Sequence, residues 1–205
     1  MLGHPFGIWC HKWAESLDSK KMKIEIGEIN LITGERGAGK SILCTKLIEK
    51  LINLEYSVAG IVSPGIYRDN VKIGITALDI KSGRKVRLAD FSPGWDKEKP
   101  SRIWKIYPDA IPWGNHVLNK SVPCDILIID EIGYLELKKN GGWKNSFEIL
   151  EEKLFKIAFI VIRKELVKVA LSHWENAQVL LIEKSENIDF ISNEILHQID
   201  LKAIR

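Results

Sequence analysis

Residues 34–41 combine glycines with a lysine and a serine at the spacing that phosphate binding requires. Gly34 is separated by four residues from Gly39, which Lys40 and Ser41 follow directly. Glycines let backbone N–H groups turn inward around phosphate oxygens, and a following helix points the positive end of its dipole at the same anion. In this motif the lysine reaches the β- and γ-phosphates and the serine hydroxyl binds magnesium. The spacing predicts a phosphate-binding loop.

The flanking sequence decides between that loop and an ordinary glycine-rich turn. Residues 29–33 form an apolar, strand-like run, and residues 43–52 have helical periodicity, which is the context that the motif needs. We therefore expect the whole loop and the residue after it to contact a nucleotide, although its variable positions often point to solvent. The predicted nucleotide-binding residues are Gly34, Glu35, Arg36, Gly37, Ala38, Gly39, Lys40, Ser41 and Ile42.

A second candidate motif lies about 90 residues downstream, where a short apolar run ends in two acids, Asp130 and Glu131. Such a run is typical of a buried parallel strand, and its last carboxylate would lie at the carboxyl edge of the sheet, where ligands of open α/β folds bind. Asp130 is predicted to hold hydrated magnesium together with Ser41.

Glu131 and Arg163 are the candidate catalytic residues besides Lys40, which would counter the developing charge. Glu131 can accept a proton from a water aligned with the γ-phosphate, which favours hydrolysis, or it can cap the next turn or pair with a lysine. Arg163 follows the apolar strand at 159–162 and would act on the γ-phosphate as an arginine finger in cis, or it pairs with a surface acid.

Three further charged residues have two interpretations each. Glu136 either supports the site or orients a surface loop. Arg68 and Lys72 either approach the nucleotide from a predicted hairpin or occupy an exposed turn.

The elements that position these residues alternate between strand and helix. The alternation predicts an α/β, three-layer fold with a mostly parallel central sheet, and a hairpin around residues 81–84 adds an antiparallel insertion. Residues 92–100 are predicted to form a polar connection between elements. The predicted strands are 29–33, 56–62, 72–80, 85–91, 103–107, 125–130, 158–162 and 179–182, and the predicted helices are 43–52, 110–119, 146–155, 165–174 and 188–199.

Length and composition are those of one domain of 205 residues with a formal net charge of +3. No basic block indicates a nucleic-acid partner. The three cysteines are widely spaced and contain no C-x-x-C pair, which favours reduced thiols in a cytoplasmic protein. No apolar stretch approaches the roughly 18 residues of a membrane span, so no association with a membrane is expected.

Several of these motifs together resemble the cancer-related nucleoside-triphosphatase family of phosphate-loop proteins. The resemblance rests on the loop at 34–41, the Ser-Pro-Gly-Ile-Tyr at 63–67 before a hairpin, and the Asp-Glu-Ile-Gly that begins at Asp130 and continues to Glu136. It implies a RecA-like or kinase-like domain that hydrolyses ATP, GTP and other triphosphates slowly with loose base preference, and it assigns Glu131 as the base. Residues 1–21 have no counterpart, which divides the chain into an extension of unknown role and one phosphate-loop domain at 22–205.

The sequence thus predicts a magnesium-dependent nucleoside triphosphatase, with two alternatives. A nucleotide or small-molecule kinase would use the same loop, but its mobile lid commonly carries several arginines, and the arginines here are dispersed along the chain. A nucleotide-dependent switch or adaptor would hydrolyse slowly and reset a partner complex. An unidentified protein partner could dock on residues 92–102 or 1–21.

Overall fold

Apolar strands and amphipathic helices alternate along the chain, as predicted. The computed structural model describes residues 27–93, 102–183 and 187–199. The strands are β1 (Glu28–Gly34), β2 (Val58–Val62), β3 (Gly65–Arg68), β4 (Val71–Asp79), β5 (Lys85–Pro93), β6 (Arg102–Ile106), β7 (Cys124–Ile132), β8 (Phe155–Ile162) and β9 (Gln178–Ile182). The helices are α1 (Lys40–Asn53), α2 (Ala110–Asn119), α3 (Tyr134–Lys139), α4 (Asn145–Glu152), α5 (Val167–His173) and α6 (Ile188–Gln198), with a 3₁₀ turn at Lys164–Leu166.

One mixed sheet contains all of these strands. Its order is β6-β5-β4-β2-β7-β8-β1-β9, and β3 pairs with β4. The five strands from β2 to β9 in that order are parallel, whereas β3, β4, β5 and β6 pair antiparallel. Six of the nine residues of β7 and seven of the eight residues of β8 are buried, because helices cover both faces of the parallel part. The predicted parallel sheet with an antiparallel insertion is confirmed.

Two hydrophobic cores, one on each face of the sheet, make the fold three-layered. The first core packs Leu47 of α1 and Ile195 of α6 against residues such as Ile128. The second packs helices α2, α4 and α5 against the other face, which includes Leu127. Adjacent residues of β7 therefore enter different cores, as the alternation of side chains along a strand requires. Each fully buried leucine contributes about 1.5–3 kcal/mol relative to an exposed one.

The antiparallel strands continue past the edge at which the parallel strands end. The last residue of β2, Val62, pairs with Leu78 of β4. The earlier half of β4 pairs instead with β3, and Tyr67 lies opposite Lys72. The β3–β4 hairpin thus extends beyond the carboxyl edge of the parallel sheet, and it forms a wall beside the region where predicted site residues converge.

Local sequence patterns misplaced several boundaries. The predicted strands do not include residues 65–68, which form β3, and the predicted helices do not include α3. The predicted helix at 146–155 is wrong at its end, because Lys153 adopts a left-handed conformation with φ 54° and Phe155 begins β8. The helix predicted at 165–174 begins as a 3₁₀ turn. Residues 92 and 93 belong to β5.

Some predictions concern residues outside the described part of the chain. These are the extension at 1–21, its boundary at residue 22, and most of the polar connection at 92–100. Cys44 and Cys124 are free thiols, while Cys10 lies outside the described residues. No helix among the described residues is long and apolar enough to cross a membrane.

Gly60 in the middle of β2 provides a test of the sheet packing. Its φ is 120°, and a Cβ there would lie 2.0 Å from the carbonyl oxygen of Ile128 on the neighbouring strand β7. We expect Gly60→Ala to lower the free energy of unfolding by roughly 3–5 kcal/mol, measured by urea denaturation, because it combines a strained backbone with a clash against backbone.

Gly83 offers a matched control for that substitution. Its φ is also positive, at 72°, but a Cβ there would meet nothing within 4 Å. Gly83→Ala should cost only about 1–2 kcal/mol. Equal losses in the two variants would contradict the close approach of β2 to β7.

Candidate active site

The predicted phosphate loop connects β1 to α1. Gly39 precedes the helix with a φ of 98°, a left-handed conformation that favours glycine. No side chain caps the N-terminus of α1, and its first turn contains no acidic residue. The first N–H groups of the helix are therefore left for a ligand, and the dipole there attracts an anion.

The predicted nucleotide-binding residues differ in exposure. Gly34, Ala38 and Gly39 are buried, Lys40 and Ser41 are half-buried, and Glu35, Arg36, Gly37 and Ile42 are exposed. Glu35 forms an ion pair of 2.6 Å with Lys164, which follows β8. The pair lowers the pKa of Glu35, mainly through the hydrogen bond from Lys164. The tip of the loop thus points to solvent, while its glycine-rich base lies against the sheet.

Lys40 folds back across the loop. Its ammonium Nζ donates hydrogen bonds to the carbonyl oxygens of Gly34 at 2.8 Å and of Glu35 at 2.9 Å. These bonds hold the charged end of Lys40 over the loop, where a bound phosphate would lie. An anionic phosphate oxygen is a stronger acceptor than either carbonyl.

Asp130 is a nearly inaccessible carboxylate at the end of β7, with 3% of its surface exposed. Burial raises its pKa to about 6, and the neighbouring charge of Glu131 acts in the same direction. Hydrogen bonds from the Ser41 hydroxyl and the Ser63 backbone N–H oppose this rise. One oxygen, Oδ2, is buried and has no hydrogen-bond partner.

This environment fits a hard divalent cation. Mg²⁺ prefers oxygen ligands, and one or two protein oxygens suffice because waters and phosphates complete its coordination. The Ser41 hydroxyl lies against the Asp130 carboxylate, whose Oδ2 has an unused lone pair. A buried carboxylate without a cation is costly, and its raised pKa reports that cost. The predicted metal ligands are therefore brought together.

Glu131 and Arg163 form an ion pair, with Arg163 Nε 2.7 Å from Glu131 Oε1. Sheet order explains the contact, because β8 lies between β7 and β1 and Arg163 follows directly after β8. The charge of Glu131 is the main cause of the raised pKa of Arg163. Arg163 does pair with an acid, as one interpretation held, but that acid is the candidate base itself.

Glu136 fixes the segment that follows Glu131. Its two carboxylate oxygens accept hydrogen bonds from the backbone N–H of Gly133 at 2.8 Å and of Trp143 at 2.9 Å. Trp143 is itself 3% exposed and lies against Gly114 of α2. Glu136 therefore orients a loop, which was one of its two predicted roles, and anchors that loop to a buried tryptophan.

Two further residues, Ser63 and Lys72, interact with Asp130, and only Ser63 is absent from the predicted candidates. Ser63, which donates its N–H to Asp130, follows the strand next to β7, so a correct strand order would have placed it there. Lys72 was weighed as a nucleotide-contacting residue; it is half-buried and interacts electrostatically with Asp130 and Glu131. Arg68, weighed with it, is exposed.

The raised pKa of Asp130 predicts a stability that depends on pH. The ordinary pKa of this carboxyl is 3.8, and burial in the folded protein raises the pKa to about 6. Above pH 6 the folded protein therefore contains a buried charge that costs about 3 kcal/mol, and the cost disappears as the pH falls towards 4. In EDTA without nucleotide, Asp130→Asn should unfold at higher urea concentration than the wild type at pH 7.5, and this advantage should shrink at pH 4.5.

Asp125, at the other end of β7, gives a control of opposite sign. Burial raises its pKa, but hydrogen bonds from Lys156 and Ser57 outweigh burial and the net shift is downward. Asp125→Asn should therefore destabilise the protein at pH 7.5. If Asp130→Asn is also destabilising at pH 7.5, the buried charge of Asp130 does not carry the predicted cost.

Comparisons with known proteins agree with this geometry. A family model described as NTPase matches residues 30–196. A nucleoside-triphosphatase THEP1 of Ignicoccus hospitalis is 37% identical over 109 residues, which are 52% of this chain and 60% of the relative. A nucleoside-triphosphatase THEP1 of Methanothermobacter thermautotrophicus is 32% identical over 137 residues, which are 63% of this chain and 74% of the relative.

A solved structure has the same fold. The solution structure of a human cancer-related nucleoside triphosphatase superposes with a TM-score of 0.61 at 19% identity, and the match covers 84% of this chain and 97% of that one. The resemblance drawn from the motifs is thus confirmed. The chain belongs to the NTPase family, and its three-layer α/β domain has the phosphate-loop fold of that family.

Proposed function

We propose that this protein hydrolyses nucleoside 5′-triphosphates, ATP and GTP among them, to diphosphate and phosphate with bound magnesium. The observation that carries the proposal is the position of Glu131, directly after the buried Asp130 that the Ser41 hydroxyl contacts. A candidate metal ligand, a candidate base and the predicted phosphate loop thus lie at one edge of the sheet. The names of the NTPase family and of its THEP1 relatives support the same substrate class.

The loop and Lys40 bind the phosphates in this proposal. The free N–H groups at the start of α1 surround the α- and β-phosphates, and the Lys40 ammonium moves from its carbonyl partners to phosphate oxygens. The charge of Lys40 then stabilises the negative charge that develops on the leaving diphosphate. None of these groups touches a base, which fits a substrate class defined by its phosphates.

Ser41 and Asp130 would hold the magnesium ion, which when bound neutralises phosphate charge and orients the phosphates. The chain itself supplies one hydroxyl and one carboxylate oxygen, and Oδ2 of Asp130 is the atom without a partner. Deprotonated Asp130 is required, and the pKa of about 6 leaves most of it charged at neutral pH.

Glu131 would take the proton from the attacking water. As the water oxygen bonds to the γ-phosphorus, the bond from that phosphorus to the bridging oxygen breaks and the diphosphate leaves. Arg163 holds the Glu131 carboxylate through Oε1, and the other oxygen is left to face the water. Arg163 therefore acts as a positioning residue.

Replacement of Glu131 tests the base directly. Glu131→Gln keeps the shape of the side chain but cannot accept the proton, so phosphate release should fall by about 10²–10⁴-fold while nucleotide binding persists. We would measure phosphate release from ATP, GTP, CTP and UTP, with and without magnesium. Release from several nucleotides that requires magnesium and is lost in the variant is the expected result.

Glu165→Gln is a suitable control, because Glu165 is an exposed acid that also interacts with Arg163. It should leave phosphate release within about twofold of the wild type. Full activity of Glu131→Gln would show that another group activates the water. Binding of all four nucleotides without hydrolysis by the wild type would direct the search to an acceptor substrate, as in a kinase, or to an activating partner.

The role of Arg163 has a separate test. Arg163→Ala releases the Glu131 carboxylate from its 2.7 Å partner and should lower kcat at least tenfold with little change in KM. Arg163→Lys keeps a charge and should recover part of kcat. An unchanged kcat in Arg163→Ala, or a loss of kcat that Arg163→Lys does not partly restore, would contradict the positioning role.

A further inference from the structure

Lys72 is a basic residue of the β3–β4 hairpin, which lies beside the candidate site. It lies on β4 opposite Tyr67, in the part of the β3–β4 hairpin that extends past the end of β2. It is half-buried, whereas the other basic residue of this hairpin, Arg68, is exposed. The phosphate loop comes from the other side, after β1, and β7 and β8 lie between.

Two neighbours restrict the side chain of Lys72. Its Nζ lies 5.5 Å from the centre of the Trp104 ring, a cation–π contact. Its Cε occupies the space that a side chain on Gly65 would need, only 2.8 Å from the position of a Cβ there. Trp104 is further held by an edge-on contact with Phe91. Lys72 is thus directed by packing rather than free to move in solvent.

The charges around Lys72 belong to the candidate active site. Its ammonium is attracted by Asp130 and Glu131 and repelled by Arg36 and Arg163. Burial is the main cause of its lowered pKa, so the protein retains this cation at a cost. Among the described residues no carboxylate lies within ion-pair distance of it.

In the described part of the chain, Lys72 differs from Arg163 and Lys164 in having no ion-pair partner. Glu131 is paired with Arg163, and Glu35 is paired with Lys164. A half-buried cation without such a partner costs free energy, which an approaching anion would offset. The anion has to reach from the loop to the residues at the end of β7, since Lys72 interacts with both Asp130 and Glu131.

We propose that Lys72 binds the terminal phosphate of the nucleoside triphosphate from the hairpin side, so that the protein distinguishes triphosphate from diphosphate. This inference rests on the proposed use of the loop for nucleotides. The loop surrounds the α- and β-phosphates, which triphosphate and diphosphate share, and Lys40 approaches the phosphates from the loop side. Lys72 is the residue on the far side of Asp130 and Glu131, where only a third phosphate arrives. The hairpin thereby senses the group that hydrolysis removes.

The test compares affinities for ATP and ADP, which hydrolysis does not affect in the Glu131→Gln background. Isothermal titration calorimetry with magnesium would give both affinities for that parent and for the parent with Lys72→Met. We expect the affinity for ATP to fall roughly tenfold or more, since a charge-assisted contact is lost, while the affinity for ADP stays within about twofold. Lys72→Arg, which keeps the charge, should retain most of the ATP affinity.

Lys85→Met is the matched control. Lys85 is an exposed lysine of the same antiparallel unit, at the far end of β5 and paired with Leu78. It should leave both affinities unchanged, and thermal unfolding should confirm that each variant is folded. Equal changes in ATP and ADP affinity, or none, overturn the assignment whether or not the wild type releases phosphate. A wild type that hydrolyses nothing refutes the proposed triphosphatase, but the ratio of affinities still decides the role of Lys72.

Discussion

The buried charge of Asp130 is the constraint on which the rest of the site depends. A carboxylate with 3% of its surface exposed and a pKa raised to about 6 is stable in its charged form only beside cations or donors. Ser41 and Ser63 provide hydrogen bonds, yet Oδ2 is left without a partner. The protein therefore holds one oxygen atom in an unfavourable state that a bound cation would relieve.

Sheet topology brings the other charges to this carboxylate. The strands β1, β8 and β7 are parallel neighbours in that order, so the loop after β1, Arg163 after β8 and the two acids in the last three residues of β7 lie at one edge. The same order places Arg163 within 2.7 Å of Glu131 and Lys164 within 2.6 Å of Glu35. Residues after β8 thus connect the candidate base to the phosphate loop. The antiparallel β3–β4 hairpin lies along the remaining side of the site, and its Lys72 adds a positive charge there.

Much of this arrangement could be predicted from local patterns. The loop at 34–41 and the acids after a buried strand were recognised from residue types and spacing, and α2 was placed at its observed bounds. The wrong predictions also came from local patterns. The end of α4 depends on the left-handed conformation of Lys153, and β3 exists because β4 offers it a partner. Periodicity within a segment contains no information about such partners.

The sequence by itself determined which groups are candidates to bind phosphate and magnesium, because the glycines, Lys40, Ser41 and the acids at 130–131 belong to motifs that lie within one strand, turn or helix. Only the tertiary structure decided which cation meets which carboxylate. Arg163 and Glu131 are 32 residues apart, and Lys72 reaches the site through a strand pairing outside the parallel sheet. Those contacts depend on strand order and on burial, which arise when distant segments pack together and which no single segment encodes.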